Sequence, residues 1–348
     1  MDETLKRARN TMIGLAVGDA ISWSAMYHRS LLLPPWTRRI RREIETNSEE
    51  QNVILTPLPF SLNQPSDNFN ISPTDDTEWA SFSAKILLKN NFGDYEKSVL
   101  DEWLQLIRSD QIIKGYISTQ AAIRNLQNGI MPPQSGKENP HYFDDGAMSR
   151  AVPIGLIFAG QPEEAARFTN IDASVTNSED GVWGAEAFAA ALSLTCAGEH
   201  IESSIRKAII YLPESSWIRR TVEEALKLTE NCSSIFEIIP ILQEKIVNRE
   251  YSYGNVVAET LALTFAISKL HGNNFEKALT ISCSFAKSSE TLPAMVGALV
   301  GAAHSDPIAG EYWLKSIQNL NGICIPSLKG VNYLSLVDQL ISMMNSKI

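Results

Sequence analysis

The stretch Gly14-Leu-Ala-Val-Gly18-Asp19-Ala20 lies inside the first helical segment of this 348-residue chain. Apolar residues recur at helical spacing over residues 5–21, which predicts a helix. Gly14 and Gly18 stand four positions apart and therefore share one face of that helix. Two glycines on one face of a soluble helix indicate that another backbone approaches closely there.

The same glycine spacing returns at Gly297 and Gly301, where tight helix packing is again expected. These glycines lie in the longest uncharged apolar stretch, residues 292–303. A membrane-spanning helix needs about 20 apolar residues, so this stretch is too short to cross a bilayer. The N-terminal residues carry charges where a signal peptide has an apolar core. We therefore expect a soluble, cytoplasmic protein without a membrane partner.

Helical periodicity continues over most of the chain, and strand-like alternation is nearly absent. This pattern predicts an all-α fold, a single domain over residues 1–348 built as a compact orthogonal bundle of about a dozen helices. Residues 28–72 interrupt the pattern with proline-rich turns, and we expect this loop-rich segment to cover the core. Beyond residue 76, the predicted helices span about 96–108, 116–128, 146–158, 162–170, 182–198, 202–212, 219–230, 235–247, 255–270, 275–285, 291–303, 308–318 and 333–345.

The charge balance of the chain is acidic. The 30 Lys and Arg residues stand against 40 Asp and Glu residues, which gives a net charge of −10 and a pI near 5.1. A nucleic-acid-binding surface needs a dense basic field, so we expect no nucleic-acid partner. One basic run, Arg38-Arg39-Ile40-Arg41-Arg42, is either a solvated helix face or a clamp for a phosphate or an acidic partner. The four cysteines form no CxxC pair, which argues against zinc and for reduced thiols.

A run of oxygen-bearing side chains, Ser72-Pro73-Thr74-Asp75-Asp76-Thr77-Glu78, leads into a stretch with the pattern of a buried helix. Ser72 or Thr74 is a candidate N-cap, which places Asp75 and Asp76 at or before the first helical turn. The helix dipole favours acidic residues there, so one interpretation is simple decoration of a helix start. The other is a site for a hard divalent cation, which prefers carboxylate and hydroxyl oxygens.

Six motifs follow one another along the chain in the order typical of one family. They are Gly14-Leu-Ala-Val-Gly18-Asp19-Ala20, Thr74-Asp75-Asp76-Thr77, Gly146-Ala-Met-Ser-Arg150, Asp172-Ala-Ser-Val-Thr176-Asn177, Val256-Val-Ala-Glu-Thr-Leu261 and Thr291-Leu-Pro-Ala-Met-Val-Gly297. Together they resemble the ADP-ribosylglycohydrolases, a family that includes ADP-ribosylarginine hydrolases and the glycohydrolase that reactivates dinitrogenase reductase. The resemblance covers about residues 8–305.

This resemblance implies an all-α domain with two magnesium ions at the bottom of a central cleft. The first metal motif of the family corresponds to Thr74, Asp75 and Asp76. The second family motif reads Asp-x-Asp followed by Thr or Ser, and it corresponds here to Ser288-Ser289-Glu290-Thr291. The second motif thus departs from the family's pattern in this chain.

That departure bears on the number of ions. Ser288 stands in place of the first acid and Glu290 in place of the second, while Thr291 is retained, so Glu290 and Thr291 are the implied ligands. A metal pair needs enough negative charge to offset its own repulsion. We therefore expect one firm Mg²⁺ site, with Mn²⁺ as an alternative ion, and a second site that is weak, differently bound or absent. The family's usual histidine is also replaced by Asn177, which cannot take a proton at neutral pH.

A further departure concerns the substrate segment, where Asp144-Asp145-Gly146 replaces the family's Gly-Asn-Gly. Two carboxylates suit ribose hydroxyls or a cationic leaving group, or they simply cap the helix that follows. The resemblance implies substrate contacts for Asp145 and Gly146 in this run, and also for Asp19 and Ser149. For Asp19, a capping role at a helix end is the alternative.

If the protein is an enzyme, Asp75 and Asp76 are its expected catalytic residues, because a carboxylate can take the proton of the water that attacks a ribosyl carbon. The predicted function is metal-dependent hydrolysis of a ribosyl bond, with an ADP-ribosylated protein or an ADP-ribose-like small molecule as partner. Hydrolysis of another ribosyl or phosphoribosyl compound stays open, as does a pseudoenzyme that only binds ADP-ribose or a nucleotide. An isoprenoid synthase is disfavoured because Trp79 stands where its aspartate motif needs an acid. The oligomeric state is left open.

Overall fold

A computed structural model describes residues 2–32, 71–89, 93–109, 111–230, 232, 235–248, 250–251, 253–285 and 287–345. Within these ranges, only the backbone is described for residues 23–32 and 235–237. The basic run at residues 38–42 lies outside the described residues, as does most of the loop-rich segment predicted at 28–72.

The described ranges contain sixteen α-helices and no β-strand, apart from two isolated bridges, so the fold is all-α as the sequence predicts. The helices are α1 Glu3–Leu32, α2 Asp75–Lys89, α3 Tyr95–Arg108, α4 Ile117–Gln127, α5 Gln134–Lys137, α6 Gly146–Ile157, α7 Pro162–Ala173, α8 Asp180–Cys196, α9 Ile201–Ala208, α10 Trp217–Leu228, α11 Ile235–Lys245, α12 Val257–His271, α13 Phe275–Ser282, α14 Leu292–Ala302, α15 Glu311–Ser316 and α16 Tyr333–Asn345. Short 3₁₀ turns follow at Ile209–Tyr211 and Pro326–Leu328.

Three boundaries differ from the sequence prediction. Helix α1 continues to Leu32, so residues 28–32 are helical rather than loop; no proline or glycine interrupts the chain between Asp19 and that point. The helix predicted at 202–212 ends at Ala208 because a 3₁₀ turn takes over. The four-residue helix α5 is too short to show a hydrophobic period and was not predicted.

The glycine faces of α1 and α14 pack directly against each other. A methyl group at Gly14 would lie 2.0 Å from the carbonyl oxygen of Gly297, and one at Gly18 would lie 2.0 Å from that of Pro293. Further along, a methyl group at Gly301 would lie 2.4 Å from the carbonyl oxygen of Asn10. The predicted close approach of another backbone is thus confirmed at both glycine pairs, and each pair is the partner of the other.

Helices α6 and α14 form the centre of the molecule, because every residue in them is buried. A helix that is apolar on all sides belongs in the interior of a protein. Helix α6 packs between α2 and α8, and α14 packs against α1 and α12. The N-termini of α2, α6 and α14 carry unsatisfied N–H groups, and the polar residues found there form the site described below.

The glycine contact gives a stability prediction. Replacing Gly14 with Ala would force α1 and α14 apart, since the new methyl group has no room beside the carbonyl of Gly297. We expect a loss of about 2–3 kcal/mol in the free energy of unfolding, measured by urea denaturation. The control is Gly310→Ala, where a methyl group meets no atom within 4 Å; its change should stay within about 0.5 kcal/mol. Equal losses in both variants would contradict the direct backbone contact.

Candidate metal centre

Helices α1, α2, α4, α6 and the turn before α14 meet at one buried point. Ser149 of α6 donates a hydrogen bond to Asp76 Oδ1 of α2 at 2.7 Å. The Tyr116 hydroxyl, just before α4, lies 3.1 Å from the same Asp76 oxygen and 3.2 Å from Thr291 Oγ1. The two helix starts near residues 75 and 291 are therefore joined through one phenol oxygen.

Asp19 caps helix α2 from outside that helix. Its Oδ2 atom accepts hydrogen bonds from the backbone N–H of Thr74 at 2.7 Å and of Thr77 at 3.0 Å, and from the Thr77 hydroxyl at 2.5 Å. The Thr74 hydroxyl donates to Asp19 Oδ1. Thr74 stands at the N-cap position, as the sequence predicts, but the side chain that accepts from the Thr77 N–H is Asp19 of α1, 58 positions away.

Three carboxylates form an acidic cluster at this cap. Asp19, Asp75 and Asp76 each place one oxygen within 4.8 Å of the other two. Asp76 is fully buried, and its Oδ2 atom has no hydrogen-bond partner. A buried carboxylate oxygen without a donor is costly unless a cation faces it. These three residues could hold a divalent ion, and the Thr74 hydroxyl could join them because its proton points to Asp19, leaving lone pairs open.

Burial changes the ionisation of the acidic cluster. It raises the pKa of Asp19 to about 7, helped by the charge of Asp75 and opposed by the hydrogen bonds from Thr74 and Thr77. The pKa of Asp76 is raised well above its usual value, first by burial and then by the charges of Asp75 and Asp19. Burial also raises the pKa of Asp75, although part of this residue is exposed to solvent. A divalent cation would favour the charged forms of all three.

A second polar group surrounds Thr291. Asn255 Nδ2 donates to Thr291 Oγ1 at 3.1 Å, and Thr291 Oγ1 donates to Asp145 Oδ1 at 3.5 Å. Asp145 Oδ2 accepts from Thr260 at 2.5 Å. Burial raises the pKa of Asp145 well above its usual value, and the charges of Asp144 and Glu290 raise it further.

The structure brings the site residues expected from the sequence into one region. Thr74, Asp75, Asp76 and Asp19 form one half, and Asp145, Thr291 and Glu290 form the other, with Ser149 bonded to Asp76. Gly146 packs against the ring of Tyr116, where a methyl group would lie 2.5 Å from a ring carbon. Substrate contact by Asp19, Asp145, Gly146 and Ser149 stays a prediction, as do the metal and catalytic roles of the others.

The Asp144 carboxylate is hydrogen-bonded to groups of its own loop and of neighbouring segments. Its carboxylate accepts from the Ser118 hydroxyl at 2.7 Å, the Ser118 N–H at 3.2 Å and the Gly146 N–H at 3.2 Å. Asn177 Nδ2 adds bonds to Asp144 Oδ1 at 3.0 Å and to its carbonyl at 3.1 Å. Asn177, which stands where the resemblance expects a histidine, therefore holds this loop in place.

The Arg150 side chain is buried and fully engaged by neighbouring side chains. It pairs with Asp172 at 2.6 Å, with both side chains 1% exposed, and donates to Thr176 at 2.7 Å. A buried guanidinium engaged in this way has no free fork for a phosphate.

Four aromatic rings line the loop beside Asp144 and form what we call the aromatic cluster: His141, Phe143, Tyr251 and Tyr253. The rings of His141 and Phe143 stack with centroids 5.6 Å apart, and Tyr253 meets His141 edge-on at 4.4 Å. The Tyr251 hydroxyl lies 3.2 Å from His141 Nε2, and Tyr251 is 38% exposed. The cluster thus presents an aromatic surface to solvent one residue from the buried acids.

Sequence reasoning missed Tyr116 and Asn255, and it included Thr260 only within the Val256–Leu261 motif, without a role; all three hold the second half of the centre. None of them lies in a run of polar residues, and the partners of Tyr116 are 40 and 175 positions away. Only the fold reveals these residues.

Comparison with known proteins identifies the family of the chain. The sequence model of the ADP-ribosylglycohydrolase family matches residues 1–346. The chain belongs to the ADP-ribosylglycohydrolase family. This is a metal-dependent family of hydrolases, and membership therefore supports a hydrolase at that coarse level.

Two similar proteins span nearly the whole chain. An uncharacterized protein of Archaeoglobus fulgidus is 26% identical over 336 residues, which is 90% of this chain and 92% of that protein. A solved structure named "ADP-ribosylglycohydrolase-related protein complex" superposes with a TM-score of 0.61 at 18% identity, over 99% of this chain and 100% of the other. At that identity the second likeness shows the shared ADP-ribosylglycohydrolase fold alone. Among the described helices, none has the length and apolar character that a bilayer crossing requires.

The unpartnered oxygen of Asp76 predicts opposite effects of one substitution on stability and on metal binding. Asp76→Asn removes the cost of burying or protonating this carboxylate beside Asp19 and Asp75, so the metal-free protein should gain roughly 1–3 kcal/mol at pH 7.5. The same change should abolish the rise in melting temperature that Mn²⁺ or Mg²⁺ gives the unaltered protein. Asp101→Asn, on an exposed surface of α3, is the matched control and should change neither quantity. A destabilised Asp76→Asn protein that still responds to metal would contradict this account.

The raised pKa values predict a pH dependence. Folding raises the pKa of Asp19 from 3.8 to about 7, so between these limits the folded metal-free chain binds more protons than the unfolded chain. The stability that the raised pKa of Asp19 contributes to the metal-free fold is fully present below pH about 4 and is lost as the pH rises through about 7. Because the ion competes with those protons, Mn²⁺ should raise the melting temperature little at pH 5 and most above pH 7. A metal effect that is equal at pH 5 and pH 8 would count against the acidic cluster as the binding site.

Proposed function

We propose that this chain hydrolyses a ribosyl glycosidic bond, releasing ADP-ribose from a protein or a small molecule, with one Mg²⁺ or Mn²⁺ ion at the acidic cluster. The observation that carries the proposal is Asp76 Oδ2, a fully buried carboxylate oxygen without a hydrogen-bond partner among two other carboxylates. Asp76, Asp75 and the Thr74 hydroxyl would hold the ion, with Asp19 behind them. When bound, the ion would supply charge that holds ribose hydroxyls and acidifies a water.

Asp76 and Asp75 would have different roles in the reaction. Asp76 is fixed by Ser149 and Tyr116 on one oxygen, so its other oxygen has a defined direction. Asp75 is the one carboxylate of the acidic cluster that is only half-buried, and it would take the proton of the attacking water. The ribosyl carbon becomes positively charged in the transition state, and the surrounding carboxylates would stabilise that charge.

The loop beside the cluster favours a ligand that carries both a phosphate and a planar ring. The Asp144 carboxylate accepts hydrogen bonds from Ser118, Asn177 and the Gly146 N–H, which would weaken its repulsion of an incoming pyrophosphate. The aromatic cluster would offer a stacking surface for a base next to the acids. These two features support ADP-ribose over a bare pentose. We place the protein in the cytoplasm on its sequence features alone.

A binding protein without turnover is the second candidate. It is favoured by the bonds that Thr291 makes to Asn255 and Asp145, which occupy a residue that resembles a metal ligand of the family. Hydrolysis of another ribosyl or phosphoribosyl compound is the third, since the acidic cluster would act on the same carbon.

Release of ADP-ribose tests the proposal. The protein is incubated with ADP-ribosylated arginine and serine peptides and with small ribosides in Mg²⁺ or Mn²⁺, and the products are separated by chromatography. Asp75→Asn should lower turnover about 10²–10⁴-fold through loss of its proton acceptor, whereas Asp101→Asn should leave turnover unchanged. Release of a different sugar product would favour the third candidate.

Calorimetry with ADP-ribose separates the binding protein from the enzyme. If ADP-ribose binds in the presence of metal but no substrate is cleaved, the binding protein is the better description. If neither metal nor ADP-ribose binds, the proposed function is wrong.

A further inference from the structure

The phenol of Tyr116 occupies an unusual place for a buried aromatic residue. Tyr116 immediately precedes α4 and is 7% exposed. Its hydroxyl lies between the two halves of the centre, 3.1 Å from Asp76 Oδ1 and 3.2 Å from Thr291 Oγ1. No motif in the sequence marks this residue, and the mechanism proposed above uses it only to fix Asp76.

The ring of Tyr116 is held where it stands. The start of α6 packs against it so closely that a methyl group at Gly146 would lie 2.5 Å from one ring carbon and 3.1 Å from two others. Because α6 is buried along its whole length, neither the ring nor the helix can move aside easily. The phenol oxygen is thus a fixed part of the centre.

Three polar groups surround the Thr291 hydroxyl. A threonine hydroxyl has one proton and two lone pairs. The proton points to Asp145 Oδ1 at 3.5 Å, one lone pair accepts from Asn255 at 3.1 Å, and the remaining side meets the Tyr116 hydroxyl at 3.2 Å. A metal ligand needs a lone pair directed at the ion, at about 2.1 Å for Mg²⁺. Because the Tyr116 proton goes to Asp76, one lone pair of Thr291 has no donor, but the phenol oxygen stands against it at 3.2 Å.

The neighbouring carboxylate oxygens are used in the same way. Asp76 Oδ1 accepts from both Ser149 and Tyr116, and Asp145 accepts from Thr260 and Thr291 on its two oxygens. By contrast, Asp76 Oδ2 has no donor, and one oxygen of Asp76 lies within 4.8 Å of an oxygen of both Asp19 and Asp75. On the Asp145 side of the phenol, each of the carboxylate oxygens named here already has a donor, whereas Asp76 Oδ2 has none.

We propose that Tyr116 makes this centre mononuclear: its hydroxyl takes the position through which a second divalent ion would bridge Asp76 and Thr291, so that one ion binds, on the side of Asp19, Thr74 and Asp75. This inference rests on the metal dependence in the proposed function and adds the residue that limits the centre to one ion. Paired ions in hydrolytic centres lie about 3.5–4 Å apart and share a ligand. Here the oxygen that would be shared is hydrogen-bonded to a phenol.

A substitution in the turn before α14 can distinguish two reasons for excluding a second ion. Either this half of the centre has too little negative charge, or the Tyr116 hydroxyl occupies the position. The Ser288 hydroxyl is buried and has no hydrogen-bond partner, two positions before Glu290. Ser288→Asp adds a carboxylate to this half of the centre. If lack of charge alone excludes the second ion, this single change should admit it. If Tyr116 excludes it, the carboxylate is not enough until the phenol oxygen is removed.

The experiment counts Mn²⁺ ions in four proteins by calorimetry and by elemental analysis after gel filtration. We expect one ion per chain in the unaltered protein and in Ser288→Asp, and two in Tyr116→Phe/Ser288→Asp. The matched control is Tyr95→Phe/Ser288→Asp, which deletes the buried, unpartnered hydroxyl of Tyr95 and should bind one ion. Electron paramagnetic resonance gives an independent readout, since two adjacent Mn²⁺ ions couple and broaden the six-line signal of an isolated ion.

Each outcome has a defined meaning. Two ions in the unaltered protein or in Ser288→Asp would overturn the inference while leaving the proposed function in place, and these two proteins suffice if the double variant does not fold. One ion in a folded Tyr116→Phe/Ser288→Asp, checked by circular dichroism, would overturn it as well. If the unaltered protein binds no Mn²⁺, both the inference and the metal-dependent function are wrong.

Discussion

The backbone contact between α1 and α14 is the constraint on which the candidate site depends. Gly18 lies against the carbonyl of Pro293, so the next residue, Asp19, is carried to the level of the turn that ends at Thr291. From there Asp19 reaches the N–H groups that open α2. Side chains at the glycine positions would push the helices apart and separate the two halves of the centre. The glycine spacing is thus a requirement of the site as much as of the packing.

Much of this arrangement could be predicted from the sequence, and the failures have a common cause. The helical class, the close approach at Gly14 and Gly297, and the position of Asp75 and Asp76 at a helix start all depend on patterns within a few residues. The cap on α2 and the role of Tyr116 depend on partners far apart in the chain, and no local pattern contains them. The departure at Ser288 showed that one half of the centre was altered, but the phenol beside it was visible only in the fold.

The acidic cluster is a local weakness of the fold that function explains. Asp19, Asp75 and Asp76 repel one another inside the protein, and burial disfavours their charged forms. The chain offsets part of this through the Thr74 and Thr77 donors, but the Asp76 oxygen that faces the cluster receives nothing. Such residual strain is typical of sites that are completed by a ligand.

The closure of α1 on α14 also has a consequence for how the protein is made. Asn10 donates a hydrogen bond at 2.7 Å to the carbonyl of His304, which lies 294 positions further along the chain. Contacts of such sequence separation form late, because most of the polypeptide must exist before they can close. During synthesis on the ribosome, the glycine face of α1 therefore remains uncovered until α14 has been made. An uncovered helix face on a nascent chain is exposed to aggregation until its partner has been made.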